Sequence, residues 1–286
     1  MPDPLVREHV ASISPLLELA IEAADAAGKV IRAGAGQFNQ ITSKGIGDLV
    51  SQVDIEADHA ATAVLRAGSG LTILSEEVNS SQAEADNMWI VDPLDGTNAF
   101  LMQAGPQYPS VLVSLRQNHE TTLGVVYFPL TDEWFYAMRG RGAWLNGKRL
   151  VCDAEESLSD VWVEMNQYGD ASLETSAFAE LRCRLRSADG ARLVTSQLPN
   201  SGVAMRIAQS RNPLAAAVHD NNPASVKQAP WDIAAPQIVL EEAGGVFVNL
   251  DGERSNPFRA EPIIVARSAA LAKQIIDLVV RQPADS

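Results

Sequence analysis

Twelve residues, Trp89 to Phe100 (Trp-Ile-Val-Asp-Pro-Leu-Asp-Gly-Thr-Asn-Ala-Phe), constrain the fold of this chain more than any other stretch. Met88 to Val91 suits a buried strand, and Pro93 then fixes one φ and withholds an N–H, which predicts a turn where Asp92 and Asp95 appear. Both carboxylates then face one point. Two anions held that close repel each other unless a cation lies between them, and an all-oxygen ligand set favours a hard ion such as Mg²⁺. Gly96 and Thr97 predict the start of a short helix whose free N–H groups hold a phosphate. The stretch thus reads as the floor of a metal-dependent phosphate site, with an ordinary Asp-Pro-Gly turn as the competing reading. A calcium loop of the EF-hand kind fits poorly, because a Pro follows the first Asp and position 12 counted from Asp92 is Gln103 instead of a bidentate Glu.

Composition narrows the partners. The chain's 286 residues allow one large domain or two of ordinary size, and 46% hydrophobic content supports a sizeable core. With 36 acidic against 22 basic side chains the formal net charge is −14, so neither nucleic acid nor an anionic membrane is an expected partner. A small phosphorylated substrate would need local cations to enter such a field. Cys152 and Cys183 show no CxxC and no zinc-like spacing, which predicts reduced thiols and a cytoplasmic setting. The start of the chain lacks a basic segment followed by an apolar one, and no apolar run approaches the ~20 residues that span a bilayer. His9, His59, His119 and His219 are scattered, so no Ser-His or Cys-His pair can be argued.

Ser14-Pro15 reads as an N-cap followed by Pro in the first helical position. Leu16, Leu19, Ala20, Ala23, Ala27, Val30 and Ile31 then recur at helical spacing, which predicts a long helix ending near Gly34. A loop is expected over 34–47, then a helix over 55–66 with Asp54 as its N-cap; Glu56 and Asp58 read as its solvated start. Residues 71–75 alternate as a strand and end in Glu76-Glu77, so a second acid-bearing strand end is expected to converge on Asp92, across a polar surface loop at 79–86. Antiparallel strands are predicted at 110–115, 122–128 and 133–137, with a hairpin at 143–151 turning on Asn146-Gly147. Arg139, Arg141, Lys148 and Arg149 read as its solvated face.

A boundary near Cys152 divides the chain into 1–152 and 153–286. In the second part a strand is expected at 161–165, helices at 172–181 and 202–208, and a loop from His219 onward. Trp231-Asp232 opens a helix stopped by Gly244-Gly245, followed by a strand at 246–249 and a terminal helix at 269–280. Pro236 predicts an irregular or displaced start to the Asp232 helix.

Taken in order, Asp48-Leu-Val…Asp54, Ser75-Glu76-Glu77, Trp89-Ile-Val-Asp-Pro-Leu-Asp-Gly-Thr97 and Trp231-Asp-Ile-Ala…Glu242-Ala-Gly-Gly245 resemble the inositol monophosphatase family. That family also includes bisphosphate nucleotidases and fructose-1,6-bisphosphatase-like enzymes. The resemblance runs from the first helix to the last strand. It implies an α+β fold, a layered αβαβα sandwich with the site between two lobes, and a homodimer is expected. It further implies that Glu76, Asp92 and the carbonyl of Leu94 hold a first Mg²⁺, that Asp92, Asp95 and Asp232 hold a second, and that two or three ions bind in all. Asp54 and Thr97, with Glu76 near, would organise the attacking water, and Asp95, Gly96 and Thr97 would receive the phosphate. The implied reaction is hydrolysis of a small phosphomonoester by direct attack of a metal-activated water, inhibited by Li⁺.

Two departures stand out, the first a harmless side chain at a strand end or a slight change in how Glu76 is aimed, the second bearing on substrate. Ser75 stands where Gly usually precedes the Glu pair, and the region 199–230 does not align readily with the family's substrate-side positions. Inositol monophosphate therefore shares the expectation with a 3′(2′),5′-bisphosphate nucleotide and a sugar phosphate. Asn200, Ser201, His219 and Asp220 are the polar groups expected to contact the rest of the substrate, with plain turns as the alternative. A haloacid dehalogenase-like phosphatase is disfavoured, since its Asp-x-Asp spacing differs from that of Asp92 and Asp95. A catalytically silent binding protein on the same fold is the alternative from another class; against it, buried acids without a ligand would repel one another.

Overall fold

The computed structural model describes residues 4–37, 41–45, 48–78, 84–152, 157–167, 176–187, 192–194, 199–210, 212–220 and 229–280. Its layers alternate helix, sheet, helix, sheet and helix, as the αβαβα expectation requires. The outer helical layer holds α1 (Pro4–Ile13), α2 (Pro15–Gly34) and α3 (Gln52–Gly68). Ser14 caps α2 by accepting the Leu16 N–H at 3.2 Å, and Pro15 takes the first helical position, where its missing N–H costs nothing. Helix α1 was not foreseen. A hairpin of β1 (Ile41–Gly45) and β2 (Asp48–Ser51) occupies much of the segment expected to be a loop.

The first sheet runs β3 (Thr72–Ser75), β4 (Met88–Asp95), β5 (Ser110–Gln117), β6 (Glu120–Phe128), β7 (Glu133–Met138), β8 (Gly142–Leu145) and β9 (Lys148–Leu150), each strand beside its successor in the sequence. Only the β3–β4 pair is parallel. Alternation sends Trp89, Val91, Val113 and Tyr127 toward the α2–α3 core and Leu112, Val126 and Phe135 into the central one. Asn146 and Gly147 close the β8–β9 hairpin with φ of 49° and 79°, the left-handed pair that a tight hairpin demands. The five-residue helix α4 (Thr97–Leu101) follows β4.

The central helices are α6 (Asn200–Ile207) and α7 (Pro230–Ala243), packed between the first sheet and a mixed one. That second sheet is built from β10 (Trp162–Gln167), β11 (Arg192–Val194), β12 (Leu214–Asp220), β13 (Val246–Asn249) and β14 (Ile263–Ala266), in the order β11-β10-β12-β14-β13. Helices α5 (Ser176–Ser187) and α8 (Ala269–Val280) cover its outer face. Strands β11 and β14 were not foreseen, and residues 172–175 of the helix expected at 172–181 lie outside the described residues.

Three expectations need correction here. Pro236 sits inside α7 without displacing it: Pro230 starts the helix and Gly244, at φ 106°, stops it. Tertiary packing overrides the proline, which removes one N–H, the donor for the Asp232 carbonyl a turn earlier. His219 and Asp220 close β12 instead of opening a loop, since pairing of His219 with Ile263 and of Asp220 with Gln167 extends the strand through them. The basic spot is no merely solvated face, because Arg139 pairs with Glu241 at 3.3 Å and Glu242 accepts the N–H groups of Gly140 and Gly142 at 2.9 and 2.8 Å. The hairpin is thereby clasped to the end of α7. Among the described residues no helix is long and apolar enough to cross a membrane.

Candidate active site

The aspartates of β4 face one way because the strand bulges. In a regular strand, residues three apart point to opposite faces. Here Asp92 pairs with Leu112 and Asp95 with Ser110, so three steps on β4 oppose two on β5. The extra residue restores the same face to both. Pro93 fits the bulge because it needs no ladder hydrogen bond. The strand therefore continues through Asp95, and the expected turn comes one residue later, at Gly96 (φ 88°), where an added Cβ would lie 3.1 Å from the Tyr108 carbonyl oxygen.

Asp232, in the first turn of α7, completes a group in which one carboxylate oxygen from each of Asp92, Asp95 and Asp232 lies within 4.8 Å of the others. Glu76 arrives by register: Ser75 pairs with Val91 and the Glu76 N–H donates to the Val91 carbonyl at 3.1 Å, so Glu76 ends beside Asp92. The two acid-bearing strand ends thus converge as expected. Burial raises the pKa of Asp92 well above the usual carboxylate range, and the charges of Glu76, Asp95 and Asp232 raise it further. Burial also pushes Asp95 up to about 6, although hydrogen bonds from Ser201 and Ser110 pull it down.

These acids fit a divalent cation. They form an all-oxygen donor set, and their mutual repulsion is what a bound cation would relieve. Leu94 is buried at the bulge; its N–H donates to Asp92 Oδ1 at 3.0 Å and its carbonyl oxygen lies 3.1 Å from the Thr97 hydroxyl oxygen.

Asp54 is not the N-cap of α3. Ser51 is, and Asp54 is the third helical residue, accepting the Ser51 N–H at 2.8 Å and the Ser51 hydroxyl at 2.5 Å. Its other oxygen accepts the Thr97 hydroxyl at 2.6 Å. One carboxylate thus caps a helix and engages the threonine beside the acid cluster.

The substrate-side candidates are placed unequally. Ser201 is fully buried, and its hydroxyl donates to Asp95 and lies 2.9 Å from that of Ser110, so it turns to the acid cluster instead of standing open. Asn200 and His219 line a cavity of about 10 Å³ with Asp232, room on the scale of one water. Burial lowers the His219 pKa to about 4, so its ring is neutral near pH 7. The side chain of Asp220 and residues 221–222 lie outside the described residues.

Sequence reasoning missed Asp58, which was read as solvated. It is fully buried and accepts the Ser75 hydroxyl and the N–H groups of Glu77 and Val78, each at 3.2 Å. It therefore anchors the turn that carries Glu76. The available signal was its place four residues after Asp54, on the same face of α3. Ser110 was missed too, and nothing in its local sequence singles it out.

Comparison with known proteins gives these features a family. The sequence pattern of the inositol monophosphatase family matches residues 12–284. The Nus factor SuhB of Pasteurella multocida is 30% identical over 273 residues, covering 93% of this chain and 96% of that one. The inositol-1-monophosphatase of Mesorhizobium japonicum is 32% identical over 245 residues, covering 84% and 87%. A solved IMPase/NADP phosphatase, complexed with Mg²⁺ and phosphate, shares the fold at a TM-score of 0.74 with 19% identity, covering 98% of each chain. With most of its length matched by the family pattern, this chain belongs to the inositol monophosphatase family.

Proposed function

We propose that this chain is a Mg²⁺-dependent phosphatase acting on a small phosphomonoester, with inositol monophosphate as the leading candidate. The observation that carries the reading is the convergence of Asp92, Asp95 and Asp232 from β4 and α7 beside the Asp54–Thr97 pair. Family membership supports it, as does the inositol-1-monophosphatase among the relatives.

In this reading Asp92, Asp95 and Asp232, with Glu76 and the Leu94 carbonyl, hold two or three Mg²⁺ ions. Bound Mg²⁺ lowers the pKa of a coordinated water and offsets charge on the phosphoryl group. The chain's own residues handle the proton. Because Thr97 donates its hydroxyl hydrogen to Asp54, its oxygen lone pairs are left to accept a hydrogen from the attacking water. As the bond from water oxygen to phosphorus forms, that proton passes to Thr97 and the threonine's own proton to Asp54. The ester P–O bond breaks on the opposite side, and the leaving oxygen takes its proton from solvent. Gly96 would receive the phosphate with Asp95 and Thr97, and Asn200 and His219, which line a cavity with Asp232, act on selectivity from that side.

The test is phosphate release from inositol, sugar and nucleotide phosphates with Mg²⁺ and after its removal, with Li⁺ as an inhibitor. Single turnover in labelled water should place the label in free phosphate with no phosphoprotein; a phosphoaspartyl intermediate overturns the mechanism. The relative named a Nus factor motivates the rival reading, a binding protein on the same fold. A metal-loaded protein that releases phosphate from nothing in the panel would favour that rival.

A further inference from the structure

We infer that Ser201, backed by Ser110, is a positioning residue that fixes how Asp95 is presented to a divalent cation. This rests on the metal-dependent reading above. Both hydroxyls address one oxygen, Asp95 Oδ2: Ser201 donates to it directly, and Ser110 lies 3.4 Å from it and 2.9 Å from the Ser201 hydroxyl. Neither serine has exposed surface. They come from different layers, Ser110 from β5 opposite Asp95 in the bulged register and Ser201 from the first turn of α6.

The chemistry follows from counting hydrogens. Each hydroxyl has one to give. That of Ser201 goes to Asp95, and that of Ser110 goes to Ser201 or Asp95, so the pair feeds hydrogen-bond donation into one side of the carboxylate. Oδ2 is held in place, and Oδ1 takes no part in these bonds. A hydroxyl pair does this without a buried cation that would compete with Mg²⁺. Partners that orient a ligating carboxylate from behind carry about 10–100-fold in metal affinity.

The experiment is calorimetric titration of the metal-free full-length protein with Mg²⁺, for the wild type, Ser201→Ala and Ser110→Ala, alongside the melting temperature of each metal-free protein. Ser201→Ala should weaken Mg²⁺ binding by about 10-fold or more, and Ser110→Ala by a few-fold. A mere stitch between layers would lower the melting temperature and leave Mg²⁺ affinity alone. Wild-type affinity in both variants overturns the inference while the phosphatase reading stands; a wild-type protein that binds no Mg²⁺ overturns both. Should Ser201→Ala fail to fold, Ser110→Ala decides by the same criterion.

Discussion

Asp58 and Asp92 are buried aspartates on opposite sides of the β3–β4 pair, and their surroundings are opposite in kind. Asp58 accepts three hydrogen bonds from the end of β3 and the turn after it, which counter the upward pull of burial on its pKa. Asp92 accepts the Leu94 N–H and otherwise faces Glu76, Asp95 and Asp232, all of which push its pKa the same way as burial does. Asp58 is thus supplied with donors by the fold, whereas Asp92 is left chiefly among other acids, at a standing cost that a bound cation would offset.

The strongest test of that contrast is a pair of substitutions. Asp92→Asn should abolish phosphate release, on the order of 10⁴-fold as for other essential groups, yet leave the metal-free melting temperature unchanged or higher because it removes a repelled charge. Asp58→Ala should do the reverse. Leaving a hydroxyl and two N–H groups without their acceptor should cost about 3 kcal/mol in a denaturant melt, with a smaller loss of activity through a loosened Glu76. If Asp58→Ala is neutral to stability and Asp92→Asn is not, the contrast is wrong.

Thr97→Ala should lower kcat by ~10²-fold and leave Mg²⁺ affinity near wild type, since it removes the proton relay and no ligand charge. Initial rates at saturating Mg²⁺ check this. The smallest effect is on pH dependence. Asp95, at about 6 when folded against ~3.9 unfolded, keeps its proton longer in the folded state, so it costs the metal-free protein stability as pH rises through that window. His219 acts in the opposite sense between about 4 and ~6.5, because the unfolded state takes up its proton first as pH falls. The clean measurement is therefore the Mg²⁺-induced rise in melting temperature, expected to be larger at pH 8 than at pH 5, where Mg²⁺ must displace protons. An equal rise at both pH values would contradict the raised Asp95 pKa.

Much of the fold was legible because its signals are local. The Ser14-Pro15 cap, the Asn146-Gly147 turn and the alternating strands of the first sheet each depend on residues a few positions apart, and that sheet joins strands adjacent in sequence. The second sheet was read less well. Its order β11-β10-β12-β14-β13 depends on crossovers, and short strands such as β11 and β14 carry too few residues to show a period. Asp54 was taken as the N-cap and is the third helical residue, because a cap and the third residue of a capping box share the same amino acid types.

The sequence by itself determined which chemistry this chain can carry: an apolar strand delivering two aspartates before a glycine and a threonine, a second strand ending in glutamate, and a distant aspartate at a helix start. The tertiary structure decided how those groups are aimed. The bulge at Pro93 turned Asp92 and Asp95 to one face, packing of α7 between the sheets brought Asp232 to them, and Ser110 with Ser201 took hold of Asp95. The physical reason is range. Charge and backbone propensity are written in neighbouring residues, whereas the orientation of a buried carboxylate is set by hydrogen-bond partners that reach it only once the layers have packed.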